Sequence, residues 1–571
     1  MKTFFPILDW LPKYKKAYLS GDLAAGLTVG IMLIPQGMAY AMIAGLPPVY
    51  GLYAALVPNF IYALTGSSRK LAVGPVALDS LIVASGIAAM KLSGLEAHIT
   101  MALFLALFVG LLQLTMGFLK MGFLANFLSR PVVNAFTSAA ALVIAVSQLK
   151  YVLGLSVSTT GTMATLKALA VQMDKVNPWD IGIGLLAILI IAILKKLHKK
   201  LPAATVVVVL SILWVYFFSK QYVEITLLGT IPQGLPIVTL PSITTGVWLQ
   251  ALPLALTLAF ISFAEAMTMA KAVEEQSQQY VTDANQELRA LGLSNVVGSF
   301  FQSFPANAGL SRTAVNVNEG AKTGLSSIIS AIVVALTLLF LTPYFSYLPK
   351  AVLGAIILMA VHRLIDLRYP VLLVKQQRDE FVLYSVTFLA TLFIGISQGI
   401  VYGILFSLVL LVYRTSKPHM AVLGKIRGMD YFKNINRFEE EVEIHDEILM
   451  VRFDAQLFFA NVPYFKKTVL KEVAKKGKPL KYVILNAEPV NYIDSTAIAQ
   501  LEHLVDELSE KGITFKLAGA IGPIRDILQK SGLAQKIGVE NLYVRTAEAH
   551  ADSLKKIGKT PIQKKVSLEH R

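Results

Sequence analysis

Phe304-Pro305-Ala306-Asn307-Ala308-Gly309-Leu310-Ser311-Arg312 interrupts ordinary helical hydrophobicity, and Leu71-Ala72-Val73-Gly74-Pro75-Val76-Ala77 does the same earlier in the chain. Both stretches place Pro and Gly just before a short apolar segment. At membrane depth such residues start a half-helix, and non-helical backbone is tolerated there only where protein or water surrounds it. The freed N–H groups and the positive end of the helix dipole then form an anion site. A simple kink at Pro75 or Pro305 is the competing reading, and the matched positions of the two stretches weigh against it.

Their surroundings are apolar throughout. Of 571 residues, 55% are hydrophobic and 15% are charged, against about 25% charged in an ordinary soluble domain. Apolar runs near 22–41, 45–64, 73–91, 98–119, 131–152, 179–195, 202–219, 247–270, 288–302, 307–317, 323–342, 350–362, 380–394 and 397–413 predict fourteen spanning helices. The two broken stretches open the third and the tenth, which is the third of each group of seven. A unit with an odd number of spans repeats in opposite orientation, with substrate bound between the broken helices. The predicted fold is therefore an α-helical polytopic membrane protein of two inverted seven-span repeats, about 21–219 and 247–414, within a transporter domain 21–415.

A segment 1–20 precedes this domain, with Trp10, Pro12 and the Lys13, Lys15, Lys16 cluster and no long apolar core of a cleavable signal. Beyond Arg414 charged residues multiply. Residues 416–436 read as a linker, 437–553 as a soluble domain and 554–571 as a basic tail. Within that domain Ile448 to Phe453, Tyr482 to Asn486 and Thr514 to Ala518 read as strands, and 462–475, 495–512 and 522–532 as helices. This alternation predicts a small sheet flanked by helices, an α/β domain.

The net charge of +16 sits mostly in loops. Arg69 and Lys70, Lys120 and Arg130, the 195–200 cluster and Arg363 to Arg378 all fall on one side of the predicted topology, while the opposite loops are short or nearly uncharged. This asymmetry predicts a multi-pass protein of the cell inner (plasma) membrane with both termini cytosolic, and it accounts for the charge without nucleic acid. Cysteine is absent, which excludes disulfides and thiolate chemistry. His98, His198, His362 and His419 lack metal-ligand spacing, and no nucleophile–base pair recurs. The expectation is a non-enzyme without metal or cofactor.

Ionisable residues at bilayer depth are costly and are read first as functional. Arg312 follows the second break, where its planar fork suits an oxyanion or lies against backbone carbonyls as a structural cation. Ser311 and Thr313 add hydroxyls, and the amides near Gly309 and Leu310 add donors. Glu265, in Phe263-Ala264-Glu265-Ala266-Met267, either exchanges a proton against Arg312 as an anion arrives or forms a fixed ion pair with it that holds the fold. Asp79 is a second intramembrane acid and a weaker candidate for the coupling role. Gln36 and Tyr40, in Pro35-Gln36-Gly37-Met38-Ala39-Tyr40, offer an amide and a phenol in apolar surroundings, for the site or for helix packing.

Several long motifs in order now carry a resemblance. Gly21-Asp22-Leu23-Ala24-Ala25-Gly26-Leu27-Thr28-Val29-Gly30, the run from Ile34 to Pro58, Ala72-Val73-Gly74-Pro75 and Gly309-Leu310-Ser311-Arg312-Thr313-Ala314-Val315-Asn316 resemble the SulP anion transporter family, and the C-terminal segment resembles its STAS domain. The likeness covers nearly the whole chain. It implies fourteen spans in two inverted repeats, a core domain moving against a gate domain, a homodimer, and an anion site lined by Gln36, Tyr40, Val73, Gly74, Pro75, Val76, Ala77, Ala308, Gly309, Leu310, Ser311 and Arg312. It also implies proton coupling at Glu265, where sodium-coupled bicarbonate members typically have Asp. Ser495, in Asp494-Ser495-Thr496, matches the loop phosphorylated in small bacterial STAS proteins, with helix capping by Ser495 or Asp494 as the alternative. The expected function is proton-coupled sulfate uptake by alternating access. Its rivals are uncoupled or exchange transport of chloride, bicarbonate or dicarboxylate, sodium-coupled bicarbonate uptake, and a scaffold whose STAS domain recruits a cytosolic partner.

Overall fold

The computed structural model describes residues 4–90, 92, 94–127, 129–157, 162–197, 202–218, 224–241, 247–277, 280–438 and 442–559. Residues 198–200 of the basic cluster and the tail from 560 onward lie outside them. Contacts divide the chain into two units, Met1–Ser407 and Leu408–Arg571.

The first unit is helical. Its elements run α1 (Leu19–Ile43), α2 (Pro48–Thr65), β1 (Val73–Gly74), α3 (Ala77–Ala89), α4 (Leu95–Phe118), α5 (Arg130–Val152), α6 (Pro178–Leu197), α7 (Ala203–Phe218), α8 (Val247–Ser277), α9 (Ala284–Phe300), β2 (Asn307–Ala308), α10 (Leu310–Asn318), α11 (Leu325–Leu336), α12 (Lys350–Val361) and α13 (Arg378–Phe393), with α14 (Ile396–Ser416) running into the second unit. Each expected apolar stretch holds one of these helices. Among the described residues two further helices, Thr162–Val171 and Arg368–Gln376, occupy what the charge pattern suggested were loops. Among the described residues six helices are long and apolar enough to cross a membrane, Leu95–Phe118 and Arg130–Val152 among them. On α6 Leu185, Leu186, Leu189 and Ile193 are exposed, an apolar stripe at helical spacing on the outside, as lipid requires.

Glycines set the closest helix contacts. A Cβ on Gly26 would lie 2.6 Å from Cβ of Ile329, and one on Gly30 would lie 2.7 Å from Cβ of Val333. The Gly-rich N-terminal motif is thus the seam along which α1 meets α11, and small residues give that approach. Gly37 and Gly51 do the same for α1 and α2, where a Cβ on Gly51 would run into the Gly37 carbonyl.

The second unit carries β3 (Met420–Ile426), β4 (Phe432–Asn434), β5 (Val442–Glu443), β6 (Ile448–Phe453), α15 (Val462–Lys476), β7 (Tyr482–Asn486), α16 (Ser495–Glu510), β8 (Thr514–Ala518), α17 (Gly522–Lys530), β9 (Leu542–Tyr543) and α18 (Thr546–Lys556). The sheet order is β4-β3-β6-β7-β8-β9, with β5 also pairing β3. Strands β6 to β9 are parallel, while β3 pairs β6 antiparallel. The three strands read from the sequence have the bounds expected. The stretch 416–436, read as a linker, instead contributes β3 and β4 to this sheet. Met420–Ile426 is paired on both sides, to β6 on one and to β4 and β5 on the other, and the charged residues around it obscured it in the sequence. Phe453, Phe465, Val469, Leu501, Leu504 and Phe515 form the core between the sheet and α15 and α16.

Candidate functional site

Strands β1 and β2 cross as a single antiparallel step, with Val73 opposite Ala308 and Gly74 opposite Asn307. The Gly309 N–H extends the pairing to the Ala72 carbonyl at 3.0 Å. Val76 and Gly309 then take extended conformations as the N-caps of α3 and α10. Two helix N-termini therefore start at one crossing, one from each half of the unit.

Side chains satisfy the backbone that leaves the helices. Asn295 donates to the Ala306 carbonyl at 3.1 Å and accepts from the Ala306 N–H at 2.8 Å. On the other strand Thr313 accepts from the Ala72 N–H at 3.2 Å, and Asn316 donates to the Lys70 carbonyl at 2.8 Å. Irregular chain at this depth needs such partners, because no water is at hand in hydrocarbon. Behind the crossing pack Tyr62, Leu71, Val73, Ala266, Ala270, Leu291 and Ala308. The small alanines of α8 let that helix come close.

Among the described residues Arg312 is the largest fully buried side chain, 1% exposed. Its Nη1 donates to the Pro75 carbonyl at 2.8 Å, which ties α10 to the strand preceding α3. Its Nε and Nη2 are buried without a protein partner. A Cβ on Gly309 would lie 2.6 Å from the guanidinium carbon, so the fork packs over a position where only hydrogen fits. Tyr40 is buried within electrostatic reach of the same guanidinium. Leu33 of α1 lies beside Gly74, where an added Cβ would meet its Cδ2 at 3.1 Å. Gln36 is buried nearby on the same helix, and its Oε1 is unpartnered. The structure thus brings Gln36, Tyr40, Val73 to Ala77 and Ala308 to Arg312 to one crossing. Val73 and Ala308 are fully buried beneath it, while Leu310 and Ser311 are exposed.

Glu265 stands apart from Arg312. Among the described residues no ion pair joins the two, and the direct exchange or fixed pair expected from the sequence is not formed. Glu265 is partly buried and accepts from the Asn307 amide at 3.3 Å. Its charged neighbour is Asp79. Asp79 is fully buried on α3, accepts from Ser262 of α8 at 2.9 Å, and has Asn307 as its next neighbour. The Arg312 fork is bonded to Pro75, and Asn307 lies beside both acids.

Sequence reading missed Asn307, Ser262 and Glu287. Asn307 stood inside the quoted motif but carries no charge to mark it. Glu287 is fully buried at the start of α9 and accepts from Tyr62 Oη at 2.7 Å, Ser67 N–H at 2.8 Å, Ser67 Oγ at 2.7 Å and Ser68 N–H at 3.0 Å. It fixes the turn that feeds β1. In the second unit Asp494 caps α16 by accepting from the Ala497 N–H at 2.8 Å, while Ser495 is exposed. The capping residue is thus Asp494.

Two discontinuous helices meeting N-terminus to N-terminus in a polytopic helical bundle are the arrangement of a membrane transporter whose site favours anionic groups. Residues 19–387 match the Sulfate permease family and residues 439–549 the STAS domain, and the chain belongs to that family. It is 36% identical over 566 residues to "Sulfate transporter 4.1, chloroplastic" of Arabidopsis thaliana, covering 96% of this chain and 82% of that one. It is 32% identical over 532 residues to "Probable sulfate transporter MT1781" of Mycobacterium tuberculosis, covering 93% and 95%. Among solved structures, "The overall structure of SLC26A9" superposes with a TM-score of 0.89 at 25% identity over 98% of this chain and 93% of that chain. The transmembrane domain of a cyanobacterial bicarbonate transporter shares the fold, with a TM-score of 0.60 at 24% identity over 69% of this chain and 98% of that chain.

Proposed function

We propose that this anion transporter is a proton-coupled sulfate symporter working by alternating access. The observation that carries the reading is the pair of buried, unpartnered Arg312 donors beside two helix N-termini. A guanidinium edge and converging amides suit a tetrahedral oxyanion, since forked hydrogen bonds match its oxygens. Two curated relatives carry sulfate in their names. Coupling rests on Glu265, an acid partly open to exchange with no cation beside it. An ionisable group at bilayer depth is costly and is read first as functional. The bound proton offsets one of the two charges of a bound sulfate, so the anion crosses with one negative charge less than it would without the proton. The basic loops on one side support an inner-membrane placement with cytosolic termini. A homodimer is part of the same reading, on the likeness to the SulP family.

Reconstituted protein in liposomes tests this with labelled sulfate, with and without an inward proton gradient. Uptake is expected to rise with the gradient, and Glu265→Gln is expected to abolish that rise while the protein still elutes as a folded species. Uptake indifferent to the gradient excludes symport. Competition by selenate, bicarbonate, chloride and fumarate ranks the substrates, and bicarbonate winning over selenate excludes sulfate as the favoured anion.

A further inference from the structure

We propose that a cavity between Lys150 of α5 and Lys350 of α12 is a second oxyanion site, binding a free ion such as sulfate apart from the crossing. The inference goes beyond the symport reading and stands without it. Helix α5 starts at Arg130 and α12 leads into Arg363, both in the basic loops, so the cavity lies at the other end of these helices. It measures about 240 Å³ and is lined by Lys150, Tyr151, the turn from Gly154 to Val157, Thr226 and Lys350, with no carboxylate in the lining. Its walls are tied together. The Leu155 N–H donates to the Lys150 carbonyl at 2.8 Å and the Lys350 N–H to the Thr226 carbonyl at 2.9 Å. Gly354 of α12 packs on Tyr151 and Val152, where an added Cβ would lie 3.3 Å from both side chains. Asp180 stands behind the wall beside Gly154, fully buried, and accepts from the Thr226 hydroxyl at 2.8 Å. Among the described residues no carboxylate forms an ion pair with either lysine.

Lys150 has a local role as well. Near the C-terminus of α5 it donates to the Val157 carbonyl at 3.2 Å and lies 5.0 Å from the centre of the Tyr151 ring. These contacts hold the ammonium in place and leave N–H donors over, since it carries three. Lys350 has no such explanation. It is the first residue of α12, at the positive end of a helix whose N-cap, Pro349, offers no side-chain acceptor and whose first turn holds no acid. A cation there opposes the helix dipole, and a second cation on the same cavity adds repulsion. An anion between the two lysines relieves both at once. A water molecule takes about 30 Å³ in the liquid, so the space holds a five-atom oxyanion together with several waters. The turn from Gly154 and the Thr226 segment lie beyond the helix ends, with Ser156 exposed, which favours a dissolved ion over a lipid headgroup.

The test is lysine labelling of the full chain in phosphatidylcholine nanodiscs with an uncharged amine-reactive ester, read by peptide mass spectrometry, in sodium sulfate against sodium gluconate at equal ionic strength. Sulfate is expected to slow labelling of Lys150 and Lys350 about tenfold, because a charge-assisted hydrogen bond must open before the amine reacts. Lys167 and Lys175, exposed nearby in sequence, are expected to label alike in both salts. Protection of all four lysines is general screening and overturns the proposal. So does protection that appears only when phosphatidylglycerol is added to the disc, which would assign the cavity to a lipid headgroup. Lys350→Gln is expected to abolish the protection of Lys150, and unchanged protection overturns the shared site. Should that variant not fold, Lys150→Gln with Lys350 as the reporter makes the same test. Arg312→Lys separates this cavity from the crossing. An unmoved half-protecting sulfate concentration in that variant supports a second site, and one that moves with Arg312 overturns it, whatever becomes of proton coupling.

Discussion

Arg312 donates through Nη1 to the carbonyl of Pro75 at 2.8 Å, so a residue of the second half-helix closes on the backbone that launches the first. The bond fixes where the other two nitrogens point. One side chain thereby acts both as a fastener between the halves and as the positive edge of the crossing.

Arg312→Lys keeps the charge and loses the fork. The apparent affinity for sulfate is expected to fall about tenfold or more, because a charge-assisted hydrogen bond contributes about 1.5–3 kcal/mol. Concentration dependence of uptake in liposomes checks this. An unchanged half-saturating concentration removes the guanidinium from substrate contact.

Gly309→Ala adds a methyl 2.6 Å from the Arg312 guanidinium, which is the mobile end of a long side chain. The fold is expected to tolerate it at a cost of about 1 kcal/mol, while Arg312 swings off Pro75 and sulfate affinity drops. Gly182→Ala, with nothing within 4 Å of the added carbon, is the matched control and should transport normally. Equal behaviour of the two variants contradicts the packing argument.

Glu287→Ala leaves Tyr62, Ser67 and Ser68 with buried donors and no acceptor. A loss of about 3 kcal/mol or more is expected, read as a lower thermal midpoint in detergent. Glu287→Gln should recover part of it. Its amide oxygen can replace Oε1, which takes three of the four bonds.

His550 gives the second unit a pH dependence. It is buried against Phe432 and His445, and burial, followed by His445 and Lys425, pulls its pKa from 6.5 down to about 4. The unfolded chain therefore binds the proton first as pH falls. The stabilising effect of the neutral ring is full above about pH 6.5 and is lost as pH drops toward about 4, by about 3 kcal/mol at most. Hydrogen exchange of β3 and α18 in the full chain should accelerate across that window. His550→Phe should flatten the profile, and a wild type with flat exchange contradicts the assignment.

The sequence disclosed the spans because lipid forces apolar runs of fixed length, and Pro75 and Pro305 marked the breaks because each stands with Gly just before a short apolar segment at the matching position of its half. The strands Ile448–Phe453, Tyr482–Asn486 and Thr514–Ala518 were legible because each is short, β-branched or aromatic, and buried on both faces. The strands outside this parallel set were not. Met420–Ile426 and Phe432–Asn434 gain their identity from pairing to β6 and β3, a non-local event with no local pattern to announce it. Pairing of charges failed for the same reason. Glu265 and Arg312 were the conspicuous opposite pair in sequence, yet the turn at Pro75 draws Arg312 away and the uncharged Asn307 decides what Glu265 meets.

The step that joins Val73 to Ala308 and Gly74 to Asn307 is made by main-chain atoms alone. A cradle held that way has an evolutionary consequence. The pairing itself asks nothing of side chains, while Gly74 with Leu33 beside it and the fully buried Val73 and Ala308 leave no room for exchange within it, so selectivity for one anion or another can drift at side chains around the step while the scaffold that presents it stays intact. Diversification of cargo then needs new side chains at the crossing and no redesign of the bundle around it.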